Sequence, residues 1–432
     1  MHERMYKEAE KIADLIEKET RQEKIDAYIQ RLRELEVVPA AFRVRWENGN
    51  IDGKKIKQGL IQKWKSEKDE HCRDEENDIK QNVRIGTEFT FHHPEFLFTM
   101  EDLEKNNSGK GIEKGNRIIA EWTADLLERY PYQKPLSGLK ITAEKTGHGH
   151  KKYTEAAYEA VEIRFEIEDT LQGRTFSWKV NFDLDPSCIE LQADPMPYCF
   201  FEEYGYCINE LLFRHLDTYG LVADKNMETG GGGHISLDVP AAFSGNAVYL
   251  RNFLVLYSCE TMKASIEKSA KEKKEELTEE QKKWNQNSFL EEKQRKLLVE
   301  SEDVANAPFL FEKTGEWVPF RAFIAAFDQQ QADMEQFVRG MHKKVYVGAT
   351  SELEAVLGGA ANVKAEDKWH YQAVNLEHVH DDKRIELRRF DAQANIDELL
   401  QQAEALFQIL MMARTNWKIS IDKALESDYF AV

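Results

Sequence analysis

Residues 161–194 read VEIRFEIEDTLQGRTFSWKVNFDLDPSCIELQAD, and the alternation in this stretch decides the fold class. Val161, Ile163, Phe165 and Ile167 fall on one side of an extended chain, with Glu162, Arg164, Glu166 and Glu168 on the other. Side chains alternate between the two faces of a strand, so this is a strand with one buried and one polar face. After the short turn Leu171-Gln172-Gly173 the pattern repeats over 173–185, and again over 188–194 until Pro195 and Pro197 stop it. Strands of this kind joined by short turns pair antiparallel.

Further strands are predicted at 83–91, 139–145, 234–239, 371–377 and 384–390. Helical patterns cover 115–130, 202–219, 246–258, 321–341 and 397–416. The expectation is an α+β fold: a curved, mainly antiparallel sheet of about six strands, helices on its outer face and a site on the concave face. Residues 1–80 are charged, with helically spaced apolar positions in the first 36, and read as a helical accessory segment. Residues 81–432 form the expected catalytic domain. Within it, 261–300 is dense in Lys and Glu and reads as a solvated helical insertion. No internal repeat is present.

Composition narrows the function classes. The chain has 432 residues and a formal net charge of −19, which argues against broad binding to nucleic acid or anionic membranes. No apolar run approaches the roughly 18 residues of a membrane span, and the charged N-terminus has no secretory apolar region. Five scattered cysteines without a CxxC pair fit a reducing compartment, so a cytoplasmic protein is expected.

Several strand segments carry polar residues where a buried strand should be apolar. Glu88 follows Gly86 between Thr87 and Phe89, and Glu190 lies between Ile189 and Leu191. His234 follows four consecutive glycines, Gly230 to Gly233, and Glu386 shares a strand face with Arg388. Taken singly, each has a structural reading: a solvated acid, a packed histidine, a loop of glycines, a plain ion pair. Taken together, desolvated strand carboxylates require partners. A divalent cation answers several acids at once. Glu88, Glu190, His234 and Glu386 make a donor set for Mg²⁺ or Mn²⁺, with zinc the weaker fit because no thiolate is involved.

The order of these segments resembles the carboxylate–amine ligases of the glutamine synthetase and glutamate–cysteine ligase superfamily, including amidoligase-like members. The matching stretches are Gly86-Thr87-Glu88-Phe89-Thr90, Ile189-Glu190-Leu191 with Pro195 and Pro197, and Gly232-Gly233-His234-Ile235-Ser236. Asn375-Leu376 and Glu386-Leu387-Arg388-Arg389-Phe390 complete the set, which spans about 83 to 416. The resemblance implies an ATP-dependent ligase that forms an amide or isopeptide bond through an acyl phosphate, with ATP and Mg²⁺ or Mn²⁺ as cofactors. Its partners would be small carboxylate and amine substrates, glutamate being the favoured one, or a protein or peptide acceptor.

The resemblance further implies that Glu88, His234 and Glu386 hold the metal bridging the transferred phosphate. Glu190, with Asp183 or Asp185, would serve a second metal and belong with Arg388 and Asn375 to the catalytic set. Gly232, Gly233, Ser236 and Arg388 would contact the nucleotide. One departure stands out: Thr90 occupies the place where the family carries a second strand Glu. Two other classes therefore stay open, a nucleotide-binding protein that has lost ligation and a phosphotransferase or hydrolase using the same cleft.

Overall fold

The computed structural model describes residues 73–96, 109–134, 138–153, 156–185, 188–225, 232–299, 318–329, 333–342, 373–416 and 418–426, with Val345 and scattered positions before residue 32. Most of the expected accessory segment, Gly230–Gly231 and the start of the 371–377 stretch lie outside them. Among the described residues, ten strands form one sheet. They are β1 (Arg84–His92), β2 (Tyr132–Lys134), β3 (Leu139–Tyr153), β4 (Ala156–Asp169), β5 (Arg174–Asp185) and β6 (Cys188–Pro197), followed by β7 (Val222–Ala223), β8 (Ile235–Asp238), β9 (Val374–Asn375) and β10 (Arg384–Leu387). The order is β2-β3-β4-β5-β6-β1-β8-β10-β9, with β7 beside β1, and every pairing is antiparallel.

The expected α+β class and antiparallel sheet are therefore present, but the strand count of about six is too low. β2, β7 and β9 have only two or three residues, too few for alternation to register in the sequence.

One face of the sheet is mostly apolar where helices cover it. Phe89 and Phe91 of β1, Ile163 and Phe165 of β4, Phe182 of β5 and Leu191 of β6 are all buried there. Helix α1 (Gly109–Arg129) covers it, with Trp122 edge-on to Phe91 and Phe182 at 6.0 and 5.3 Å between ring centroids. Helix α2 (Tyr198–Ile208) follows β6 and brings Phe200 and Phe201 against Trp178. The expected 202–219 helix starts earlier, at Tyr198, and ends where expected: a π turn (Asn209–Phe213) and a 3-10 turn (Leu216–Tyr219) continue it to Gly220, whose φ of +67° is a left-handed cap.

Helix α3 (Ala247–Lys273) starts at Asn246, whose side chain accepts the Val248 N–H at 2.9 Å. It is buried continuously from Leu250 to Ala264, and it packs against α4 (Ile396–Thr415). The Lys/Glu-rich stretch therefore begins inside a core helix. Thr261 and Met262 are buried, and Lys263 pairs with Glu260 at 2.8 Å with both side chains out of solvent. No helix among the described residues is long and apolar enough to cross a membrane.

Candidate functional site

The opposite face of the sheet is polar, and the register collects its unusual residues. Gly86 lies opposite Ser236, Ser236 opposite Glu386, and Glu386 opposite Asn375, forming one row across β1, β8, β10 and β9. Residues opposite each other in an antiparallel ladder share a face, so Glu88, two residues along from Gly86, shares it as well. The Glu88 N–H donates to the His234 carbonyl at 3.1 Å, which extends the ladder to His234. A Cβ at Gly86 would stand 3.4 Å from that of Ser236, an ordinary contact, so the row packs closely there without requiring glycine.

Glu88, His234 and Glu386 meet: one ligating atom from each lies within 4.8 Å of the others. His234 Nδ1 is 2.7 Å from Glu88 Oε2 and 3.3 Å from Glu386 Oε1. Arg388 donates to Glu386 Oε1 at 3.0 Å and Asn375 Nδ2 to Glu386 Oε2 at 2.8 Å. The Glu386 side chain is only 5% exposed and that of His234 9%. Buried charges at this density are tolerated only when each finds a counter-charge or donor. Two nitrogens do not: His234 Nε2 and Arg388 Nε are buried with no hydrogen-bond partner among the described residues. Both nitrogens are thus available to a ligand at the cluster.

The electrostatics follow from the geometry. Burial raises the Glu88 carboxyl, but the His234 hydrogen bond and charge outweigh it and hold the group below its ordinary 4.5. Glu386 is pulled the same way, against burial, by His234, Arg388 and Asn375. For His234, burial and Arg388 favour the neutral ring, yet the two carboxylates prevail and raise it above its ordinary 6.5. Without metal the cluster favours the imidazolium form of His234 between two carboxylates.

The donor set fits a divalent ion. Two carboxylates and one imidazole suit Mn²⁺ well, and Mg²⁺ through the two oxygens. Glycine at 232 leaves room on the outer side of the ring, since a Cβ there would approach His234 Nε2 to 3.0 Å. Asn375 and Arg388 fix the Glu386 carboxylate, as outer-shell donors do at metal centres.

The other expected residues sit nearby in different roles. Glu190 opposes Thr90 on one side and Asp183 on the other, so it lies in a neighbouring row. Its Oε2 accepts from Gln192 at 2.8 Å, and Asp183, fully buried, accepts from Asn181 at 3.0 Å. Asp185 ends β5 opposite Cys188. Thr90 is buried and its hydroxyl donates to the Gly232 carbonyl at 3.4 Å. Ser236 Oγ accepts from Arg384 at 3.0 Å. The Gly233 N–H is already used on the Phe390 carbonyl at 3.0 Å, and a Cβ there would come within 2.0 Å of the Asp391 carbonyl. Gly233 is therefore needed for close chain crossing. Asn375 spends both ends internally, since its carbonyl accepts the Glu377 N–H at 2.9 Å.

Sequence reasoning missed Gln393 and Gln402. Gln393 donates to the Gly233 carbonyl at 3.1 Å and to Gln402 Oε1 at 2.6 Å, and Gln402 donates to the Asp391 carbonyl at 3.2 Å. These buried amides pin the turn that presents His234. The available signal was an interior face of α4 interrupted by Gln402 among Leu399, Ala403 and Leu406. No protein family, curated protein or solved structure matches the chain.

Proposed function

We propose that the protein is a metal-dependent, ATP-consuming carboxylate–amine ligase, with the Glu88–His234–Glu386 cluster as the centre of its site. The observation that carries this reading is the meeting of three ligands within 4.8 Å, beside a guanidinium and a buried unpartnered imidazole nitrogen, on one face of an antiparallel sheet. A carboxylate is inert to amines at neutral pH, and ATP supplies the phosphoryl group that converts it to an acyl phosphate, with a divalent ion offsetting the phosphate charge. The amine then attacks the acyl carbon, the C–O bond to phosphate breaks, and ADP, phosphate and an amide are the products.

The chain's own residues have definite parts in this scheme. Glu88, His234 and Glu386 hold the cation. Arg388 offers a charge-assisted hydrogen bond from the edge of the cluster to a phosphate or acyl oxygen. Asn375 and Gln393 act as positioning residues, through Glu386 and through the Gly233 turn. Glu190 and Asp183 supply negative charge one row away, where an ammonium substrate or a second cation is favoured.

The test is ADP release from Mg²⁺-ATP and Mn²⁺-ATP across a panel of amino acids and amines, with mass spectrometry of products. Amine-dependent ADP release with an adduct one water lighter than its two substrates supports the proposal. ADP release that needs no amine defines a hydrolase or phosphotransferase. ATP binding without turnover over the full panel overturns the ligase reading and leaves a nucleotide-binding protein.

A further inference from the structure

We propose that the far end of the β3–β4 hairpin carries a zinc-binding site formed by His148, His150 and Glu159. It lies on the opposite sheet face from the Glu88–His234–Glu386 cluster and does not depend on that reading.

Backbone register brings the three together. From Leu139 to Lys145, β3 alternates in step with β4, so that Ile141 and Lys145 lie opposite Ile167 and Ile163. A bulge between Lys145 and Gly147 then inserts Thr146, after which His148 lies opposite Val161 and His150 opposite Glu159. The extra residue moves both histidines onto the face of Val161 and Ile163, the face that α1 covers further along. Without it, Gly147 and Gly149 would occupy that face and the histidines the other. Strand β5 joins β4 only from Ala160 onward, so among the described residues the hairpin beyond that point is a two-stranded ribbon. Such ribbons are marginal alone. The Glu159 N–H is anchored by Asn116 of α1 at 2.9 Å.

The side chains stand close without yet closing on one point, since the three do not place one ligand atom each within 4.8 Å of the others. His148 Nε2 is 2.7 Å from Glu159 Oε2, and His150 Nδ1 is 3.9 Å from Glu159 Oε1. The ring centroids are 5.7 Å apart. Two imidazoles on one tetrahedral ion, with Zn–N near 2.0–2.1 Å, hold their centroids roughly 5 Å apart. Both histidines are about half exposed, so their rings have room to rotate, and an ion would have to draw them together to close the set. A plain ion pair needs one histidine, whereas here a second stands two residues along on the same face. Two imidazoles and one carboxylate form the three-ligand zinc set that leaves a fourth position open. Nitrogen donors in the majority select zinc over Mg²⁺.

The experiment is Zn²⁺ and Co²⁺ titration of the untagged full chain, by calorimetry and visible absorption. Wild type should take up one Zn²⁺ equivalent that His148→Ala/His150→Ala lacks and Glu386→Gln retains. Co²⁺ should give a tetrahedral d–d band that the double variant loses, and Glu159→Gln should weaken binding about tenfold or more. Equal melting of the metal-free double variant and metal-free wild type, with Zn²⁺ raising only the latter, would tie the loss to ligation. Zn²⁺ uptake by the double variant with wild-type stoichiometry and affinity, or no uptake by wild type below millimolar Zn²⁺, would overturn the proposal.

Discussion

The polar face of the sheet has two halves that carry the same residue types in different physical states. In the half built from β3, β4 and β5, acids meet lysines at the surface: Glu162 with Lys179 and Glu168 with Lys140, each at 3.5 Å and each substantially exposed. In the half built from β1, β8, β10 and β9, Glu88 and Glu386 share one imidazole within 3.3 Å and are largely withdrawn from water. Water screens the first set, where such pairs contribute about 0–1 kcal/mol. The second set depends on its own partners, because a desolvated charge left unpaired is severely destabilising. Burial, more than residue type, separates a solvated strand acid from a site acid.

The largest expected break in that contrast is Glu386→Ala. It strips Arg388 and His234 of a common counter-charge in a buried place, and loss of one partner of such a set costs about 3–5 kcal/mol. Chemical denaturation should report that loss, and Mn²⁺ should no longer stabilise the variant. Glu386→Gln keeps the shape and should fold with a smaller deficit while still losing metal-dependent turnover. If Glu386→Ala retained full stability and metal binding, the cluster would be no more than another surface pair.

Next comes Thr90→Glu. Thr90 is buried opposite Glu190, with its hydroxyl on the Gly232 carbonyl, so a carboxylate there adds a second negative charge to a closed place. A loss of about 3 kcal/mol is expected. Melting with and without Mg²⁺ checks it. Full recovery by Mg²⁺ would reveal a second cation position between residues 90 and 190, sharpening the division of the polar face into rows.

How much of this was legible follows the same division. The long strands announce themselves by strict alternation, as in Val161 to Ile167, because one face is solvated and the other is not. β8, β9 and β10 have two to four residues, where alternation barely registers, and Asn375 and Glu386 are buried along with the apolar residues. Glu88, His234, Glu386 and Arg388 could be singled out because charge inside a strand demands a partner. Their meeting is a matter of strand order across almost the whole chain, which no local pattern encodes. The Gln393–Gln402 relay left only a faint signal for another reason: Gln402 breaks the apolar face of α4, but a buried glutamine in a helix looks like a surface one until the partner carbonyl is seen. The Lys/Glu-rich stretch departs from its reading at one end only: its first residues belong to α3, where Lys263 pairs with Glu260 inside the core, whereas Ser265 to Phe289 are half-buried or exposed.

A third expectation uses pH. His234 in the folded, metal-free protein is raised above 6.5, so its contribution to stability is complete below that value and is lost as pH climbs through the folded one. Glu88 and Glu386 are lowered from 4.5, so their contribution is present above that value and is lost as pH falls. The cluster should therefore favour the metal-free fold most between 4.5 and 6.5. A cation needs the neutral imidazole, so Mn²⁺ affinity should rise with pH, by up to about tenfold per unit while His234 is mainly protonated. Calorimetric titration at about pH 6 and about pH 8 checks this. An affinity that does not change over that interval would remove His234 from the ligand set.

Smaller again is Gln393→Ala. It leaves the Gly233 carbonyl and Gln402 Oε1 without their donor, at a cost of about 1 kcal/mol or somewhat more. The informative readout is Mn²⁺ affinity, which should weaken in the variant because the turn presenting His234 is no longer pinned. Unchanged affinity at reduced stability would make the relay structural only.

The smallest effect belongs to the solvated half and tests the contrast from its other side. Glu168 and Lys140 face each other across β3 and β4 at 3.5 Å, each with nearly half of its side chain in water. Glu168→Gln keeps the size and the strand preference of the position and removes only the charge. Screening by water leaves little to lose, so denaturation midpoints should shift by less than about 0.5 kcal/mol equivalent, and added salt should erase even that. Metal binding at the Glu88 cluster should be untouched, since two strands, β5 and β6, lie between and the Debye length is only roughly 8 Å. A penalty from Glu168→Gln that approached the one from Glu386→Gln would mean that strand acids on this face are worth the same wherever they stand, and the distinction between a solvated row and a site would have to rest on something other than burial.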